Sequence, residues 1–396
     1  MISRRHFLAA GAAAALIRPK PALSQTTGVT PVFIKWDAWY DNTSDTSAQI
    51  NHQQLSPNRW QFRAPWFCDV LGTERITCAG TQAHVDIELQ AAAAAGIKAF
   101  CYVWYGGDAT GAGLSIAYHK GWQLHQSSLY KDLTKWCGYI GLNKFGFNPW
   151  SNTAGWHANC DIWANDYFKR SNYLKVGGRP VVFIPWQPTV LTSHFANSTA
   201  DTITAFNYLR SQSIASGAGD PYIISTGDLS GATNSVTAKP WITGDAVSSY
   251  IANSAISYPA LPQPAADLYT RTAGFWAGGT MVGSGSKTVP IAMMAWDKRP
   301  RIELPEFGSI STPWVGHQQY YTRGTPAQMA GHLQDCVNFI GANQPACDSK
   351  IMWVYAWNEC SEGGPGGVPT IGDPPTGSPP TTALLTAIKP VLTAAA

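Results

Sequence analysis

Eight short apolar runs recur along the chain, and the stretches between them carry helical spacing. The runs are Pro31–Asp37, Lys98–Trp104, Cys137–Asn143, Pro180–Pro185, Tyr222–Thr226, Asp245–Tyr250, Thr288–Ala295 and Lys350–Trp357. They are continuously apolar, not alternating, as strands covered on both faces must be. Among the intervening helices, Val85–Ala95 ends at Gly96, a residue able to take the left-handed C-cap conformation. Thr202–Ser213 places Ile203, Phe206 and Leu209 on one face. Thr325–Ile340 opens with Thr325-Pro326, a good N-cap and first-turn pair, and Thr382–Leu392 is a short last helix. Repeated strand–helix units predict a parallel α/β architecture, and eight of them predict a closed (β/α)8 TIM barrel. Asp41–Ala83 and Pro259–Lys287 read as long irregular insertions that shape a cleft, and Gly363–Pro380 as a surface loop. No GxGxxG or GxxxxGK[ST] follows a strand, which argues against a nucleotide site.

The first residues, Met1 to Ser24, combine Arg4-Arg5, a small apolar run Ala9–Ile17 and Ala22-Leu23-Ser24. This predicts a twin-arginine export signal over residues 1–24, followed by one catalytic domain over 25–396. A membrane span needs about twenty apolar residues, so the mature form is expected off the membrane, periplasmic or secreted. The net charge of +3 includes Arg4, Arg5, Arg18 and Lys20. Without them 23 cations face 24 carboxylates, and no basic patch argues for nucleic acid. In an exported chain Cys68 with Cys78, and Cys336 with Cys347, lie close enough in sequence to staple local loops, whereas Cys101 reads as a buried thiol. No Cys/His cluster has zinc-ligand spacing, so neither a metal nor a cofactor is expected.

Barrel enzymes carry their reactive groups at the C-terminal ends of the strands. Here those ends read Trp36-Asp37-Ala38-Trp39, Trp104-Tyr105, Trp186, Tyr250, Trp296-Asp297 and Trp357-Asn358-Glu359. Flat aromatic rings suit the apolar faces of sugars, in a chain with 17 tryptophans and only 13% charged residues. The candidate substrate-binding residues are Asp37, Trp39, Trp104, Tyr105, Tyr250, Trp296, Asp297, Arg299 and Asn358. The nearby alternative for Asp297 and Arg299 is a loop brace, and for each aromatic residue a place in the core. His52 and His157 read as solvated loop residues, and Glu303-Leu304-Pro305-Glu306 as surface. Glutamate is rare: Glu74, Glu88, Glu303, Glu306, Glu359 and Glu362. Two of these six fall where strand eight ends. Cleavage of a glycosidic bond needs one carboxyl to donate a proton and a second, ionised, to accept one or attack. Glu359 and Glu362 are the candidate catalytic pair.

The phrase Tyr355-Ala356-Trp357-Asn358-Glu359-Cys360-Ser361-Glu362-Gly363-Gly364 resembles the WNExxEGG signature of the glycoside hydrolase family 99-like proteins, also called the WbsX-like group. Ala94–Tyr105 resembles the family's GIDGFxFYWY strand, and Tyr173–Val181 its YLKVxGKPVL segment. Asp245–Tyr250 and Ala295–Arg301 resemble two further strand ends, so the likeness spans about residues 31 to 370. It implies a barrel hydrolase related to endo-α-mannosidases, in which Glu359 deprotonates the substrate's own 2-hydroxyl and Glu362 is general acid, then base. Retention of configuration and an endo-acting attack on a polysaccharide or oligosaccharide would follow. The chain departs from the pattern at Trp36–Asp41, where the family has a tyrosine-rich phrase with Glu-Trp, and at Cys360, where an aromatic residue is common. Two other readings remain open: a non-catalytic carbohydrate-binding protein, and a polysaccharide-assembly protein of the WbsX-like group.

Overall fold

The computed structural model describes residues 28–37, 39–40, 46–105, 119–141, 153–186, 195, 198–227, 236–252, 262–278, 281–304, 320–363 and 366–395. Residues 1–24, which the sequence predicts to be an export signal, Trp186's side chain and Glu306 lie outside this description. Eight parallel strands form the barrel wall: β1 (Thr30–Lys35), β2 (Ala99–Tyr105), β3 (Lys135–Gly141), β4 (Arg179–Trp186), β5 (Tyr222–Gly227), β6 (Ala246–Ser249), β7 (Lys287–Thr288, resumed at Ile291–Met293) and β8 (Ile351–Tyr355). Their buried faces on both sides account for the unbroken apolar runs in the sequence.

Closure depends on a break. The sequence predicts β7 as one run, Thr288–Ala295, but Pro290 divides it. Proline has no N–H to donate to a ladder. The first half pairs with β6 through Thr288 and Val247, and the second with β8 through Ala292 and Val354. At the break the Val289 amide donates to the Val247 carbonyl at 2.9 Å, while the Pro290 carbonyl accepts from the Trp353 amide at 3.0 Å. β8 then pairs with β1, Val32 opposite Trp353, and the barrel is complete. Its interior is filled and not open: the Phe183 and Trp353 rings stack with centroids 3.8 Å apart, and Tyr139 lies over Trp353 at 6.0 Å.

The outer layer contains α1 (Gln82–Ala94), α2 (Lys120–Ser127), α3 (Thr153–Asn165), α4 (Thr199–Ala215), α5 (Ala265–Ala277), α6 (Pro326–Ala342) and α7 (Ala383–Ala395). Thr81 and Thr325 make capping boxes with His84 and Gln328, and Ser198 caps α4. Gly96 takes φ +86° as the C-cap reading requires. Two insertions are more regular than the sequence suggests. Residues 41–83 contain the helix Thr46–Leu55 and a hairpin, Asp69–Val70 with Ile76–Thr77, closed by the Cys68–Cys78 disulfide. Residues 259–287 contain α5, whose Leu268, Tyr269, Thr272, Phe275 and Trp276 form a buried helical face that the flanking prolines and glycines obscure. Gly363–Pro380 does not run wholly over the surface: the Gly367 and Val368 amides bond to the Ala356 and Trp357 carbonyls. A Cβ on Gly366 would lie 1.9 Å from the Ala356 oxygen, so only glycine fits that approach. Cys101 is a buried thiol, but Cys336 and Cys347 are thiols too and not a bridge. Proximity in sequence does not by itself supply the Cβ approach a disulfide demands.

Beneath the first strand end lies a buried charge network. Lys35 Nζ sits 3.2 Å from Glu88 Oε2, with both side chains fully buried. Glu88, from α1, also accepts from the Tyr40 hydroxyl at 2.7 Å and the Trp357 indole at 3.0 Å, while the Lys35 ammonium lies over the Phe100 ring. One carboxylate thus ties β1, α1 and the end of β8 together. Close by, Asp37 accepts the Trp122 amide at 3.0 Å and caps α2 from another element, since His119 supplies no side-chain cap. Burial pushes the Asp37 carboxyl up to about 8, against the opposing pull of the Trp122 amide and Lys35.

Two stability predictions follow from these buried groups. Lys35→Met leaves Glu88 buried without its countercharge and lowers the unfolding free energy by about 3–5 kcal/mol in denaturant titrations; an unchanged midpoint refutes the network's role. Asp37 is protonated more readily folded than unfolded, so its contribution is complete below its ordinary value of 3.8 and is lost as pH rises through about 8. Asp37→Asn stays neutral, and its Tm should gain on the wild type from pH 5 to about pH 8 and level off above it. Parallel Tm curves would rule this out.

Candidate active site

The chain leaving β8 is held to β1 before it turns. The Trp357 amide donates to the Ile34 carbonyl at 2.7 Å. Asn358 then grips the backbone of Trp36 from both sides, Oδ1 accepting from its amide at 2.6 Å and Nδ2 donating to its carbonyl at 2.5 Å. A single turn follows, with the Glu362 and Gly363 amides bonded to the Glu359 carbonyl at 3.2 and 2.8 Å. Residues three apart on such a turn face the same way. Glu359 and Glu362 are therefore neighbours at the C-terminal mouth of the barrel, 5% and 7% exposed.

Each carboxylate has a phenol donor. The Tyr250 hydroxyl, just beyond β6, donates to Glu359 Oε1 at 2.6 Å. The Tyr355 hydroxyl, at the end of β8, donates to Glu362 Oε2. Burial, then the two carboxylates, push both phenols well above their ordinary value, so they remain O–H donors across the working pH range. Two cations come from the segment after β7. Arg301 Nη1 lies 2.6 Å from Glu362 Oε1, and its Nη2 3.8 Å from Glu359 Oε2. Lys298 Nζ is 3.3 Å from the same Glu362 oxygen and 4.5 Å above the Trp296 ring. Among the described residues the arrangement is two carboxylates, two phenols and two cations, able to take up, hold and return protons within one small space.

Of the residues singled out in the sequence, Glu359, Glu362 and Tyr250 meet here. The others take different places. Asn358 is fully buried as the β1–β8 clamp, and its carbonyl accepts the Trp39 indole N–H at 2.8 Å. Trp39 is fully buried and stacks on His52. Trp104 is 1% exposed, packed against His119, Trp122 and Trp163 between the wall and the helices. Successive strand residues face opposite sides, and Trp104 has the outward position. Tyr105's side chain lies outside the described residues. Trp296 is buried beneath Lys298, and Asp37 lies behind the site under α2. Asp297 and Arg299 are a brace: Asp297 binds Arg299 at 2.7 and 2.9 Å and Arg63 at 3.3 Å, while Arg299 lies over Tyr320. His157 stacks on Tyr208, and Glu303 binds Arg59 and the Trp60 indole.

Four contributors were not legible as such. Arg301 and Lys298 are three apart in the phrase Ala295–Arg301, interleaved with the more conspicuous Asp297–Arg299 pair. Tyr355 lies two residues after the inward-facing Trp353, the period-two signal that could have found it. Arg63, from the first insertion, donates to the Cys360 carbonyl at 3.0 Å and the Asp297 carbonyl at 2.9 Å, and burial pulls its pKa down to about 10. A cavity of about 760 Å³ opens between the helix Thr46–Leu55, the disulfide-closed hairpin and Glu303–Leu304, and neither glutamate of the pair lines it. Among the described residues, no group of three His, Cys, Asp or Glu side chains is placed to hold a metal ion. None of their helices is long and apolar enough to cross a membrane.

No family model matches the chain, and no curated protein does. Solved structures do. A glycoside hydrolase-like protein superposes with a TM-score of 0.55 at 13% identity, covering 88% of this chain and 89% of the other. The GH99 endo-α-mannosidase from Bacteroides thetaiotaomicron, in complex with Bis-Tris-propane, superposes with a TM-score of 0.53 at 14% identity, covering 93% and 97%. At this level of identity the likeness establishes a shared fold, the (β/α)8 barrel, over nearly the whole of both chains.

Proposed function

We propose that the chain is a glycoside hydrolase acting on a polysaccharide or glycan, with Glu359 and Glu362 as its catalytic pair, and that residues 1–24 direct its export. The observation that carries this reading is the meeting of two of the chain's few glutamates on one turn at the mouth of a filled barrel, each held by a tyrosine hydroxyl. The resemblance of the Trp357–Gly363 phrase to the family 99-like signature supports it, as does the shared fold with a structure titled an endo-α-mannosidase.

In this mechanism Glu359 removes the proton from the 2-hydroxyl of the sugar to be cleaved. That oxygen attacks the anomeric carbon and forms a three-membered anhydro ring as the bond to the leaving oxygen breaks. Glu362 gives its proton to the leaving oxygen. In the second half Glu362 takes a proton from water, the hydroxide opens the ring at the anomeric carbon, and Glu359 returns a proton to the 2-oxygen. Two inversions give net retention. Tyr250 orients Glu359 by holding one of its oxygens. The resemblance to the family 99-like proteins supports an endo-acting attack on a polysaccharide or oligosaccharide.

The test is product analysis of the mature protein on α-mannans, arabinans, galactans and glucans, beside Glu359→Gln and Glu362→Gln. Each variant should remain folded and lose about 10²–10⁴-fold in rate, the usual worth of a positioned acid or base. Proton NMR of the first anomer released should report the retained configuration. If both variants cleave as fast as the wild type, the assignment falls. If no polymer is cleaved while wild type and variants bind one equally, the chain is a carbohydrate-binding protein.

A further inference from the structure

We infer that Arg301 is a positioning residue which, with Lys298, holds Glu362 as the carboxylate in the ligand-free site, so that hydrolysis runs through a minority protonated form and quickens toward acid pH. The pH dependence rests on the hydrolase reading above; the charge assignment does not.

A protonated carboxyl must place its own O–H against an acceptor, whereas a carboxylate only accepts. Glu362 Oε1 is met by Arg301 Nη1 at 2.6 Å and Lys298 Nζ at 3.3 Å, both groups that donate and cannot accept. Oε2 is met by the Tyr355 hydroxyl. Among the described residues, Glu362 thus faces two cations from the segment after β7, Tyr355 from β8, Glu359 from its own turn, and Tyr250 beyond Glu359. Glu359 opposes ionisation of Glu362; Arg301 at 2.6 Å and Lys298 at 3.3 Å favour it.

Arg301 is itself held in place. Its Nε donates to the Ser361 hydroxyl at 3.1 Å, and Ser361 donates in turn to Asn51 Oδ1 at 3.1 Å. The guanidinium therefore cannot swing away without breaking a buried chain of bonds, and its second nitrogen stays directed toward Glu359. Of these three donors, Tyr355 is the one that can reverse, its oxygen accepting while its hydrogen turns elsewhere. The proton for the leaving group accordingly enters on Oε2, at the cost of the Tyr355 bond and against the pull of two cations on Oε1. A site built this way keeps its acid discharged until the pH falls or a bound sugar moves a cation.

The rarity of glutamate makes a direct test practical. With ¹³Cδ-labelled glutamate, the full chain gives signals from only six side chains, and Glu359→Gln and Glu362→Gln assign the two that matter. The wild-type Glu362 signal should titrate below the ordinary carboxyl range. In Arg301→Gln its midpoint should rise by about one to three pH units, with Glu74 unmoved as an internal control. Arg301→Lys, which keeps the charge, should restore most of the fall, and Lys298→Met should raise the midpoint on its own if Arg301→Gln does not fold. In hydrolysis the alkaline limb of the kcat/KM profile should move to higher pH in Arg301→Gln. A Glu362 midpoint that stays put in both Arg301→Gln and Lys298→Met overturns the inference, even if glycans are cleaved. A midpoint that moves in a protein that cleaves nothing removes the hydrolase reading and leaves the charge assignment standing.

Discussion

The seam between β1 and β8 is the contact on which the rest of the molecule depends. Along the strands it is ordinary parallel pairing, Thr30–Phe33 against Ile351–Val354. Beyond them, where backbone pairing stops, the Asn358 side chain takes over by supplying an acceptor and a donor to Trp36 as a strand neighbour would. Because that amide is fully buried, an unmet bond at either end would cost the desolvation of a polar group, so the clamp is stable only when both are made. The next residue is Glu359. Closing the barrel and aiming the first carboxylate are one event in the geometry of adjacent residues.

Charge is distributed around that seam in two tiers. Below it, Lys35 and Glu88 form a fully buried pair satisfied by Tyr40 and Trp357. Above it, Glu359 and Glu362 face Arg301 and Lys298 at the rim. Both tiers obey the rule that a desolvated charge persists only beside an opposite charge and enough hydrogen bonds. They differ in exposure: the lower pair is sealed off, while the upper groups keep a small fraction open to solvent, the condition for exchanging protons with a ligand. Arg63, stapling the Cys360 and Asp297 carbonyls, keeps the upper segments from drifting apart.

The tryptophan-rich composition has a structural explanation among the described residues. Trp104, Trp122, Trp136 and Trp163 pack edge to face and stacked with Tyr167 in the layer between β2–β3 and the helices. Gly138 leaves the space that Trp163 occupies: a Cβ there would lie 2.2 Å from its ring. Large flat side chains fill a wide wall-to-helix gap with few rotamers to freeze, which is a packing role and not a sugar-binding one.

How far the sequence reached follows from which physical signals are local. Strand identity, order and parallel sense were readable because burial on both faces leaves continuous apolar runs, and a closed barrel followed from their number. The cap at Thr325 is likewise a matter of a few adjacent residues. The glutamate pair was legible because spacing on one turn is local as well. What the sequence could not decide was direction and partnership. Neighbouring strand residues look alike until the register says which points outward, so Trp104 and Tyr355 exchange expected importance. The pairing of Arg301 with Glu362 spans 61 residues, and that of Asn358 with Trp36 spans 322. Only the closed barrel brings such groups within reach, because a hydrogen bond or ion pair depends on distance in space and leaves no trace in the spacing of the residues that make it.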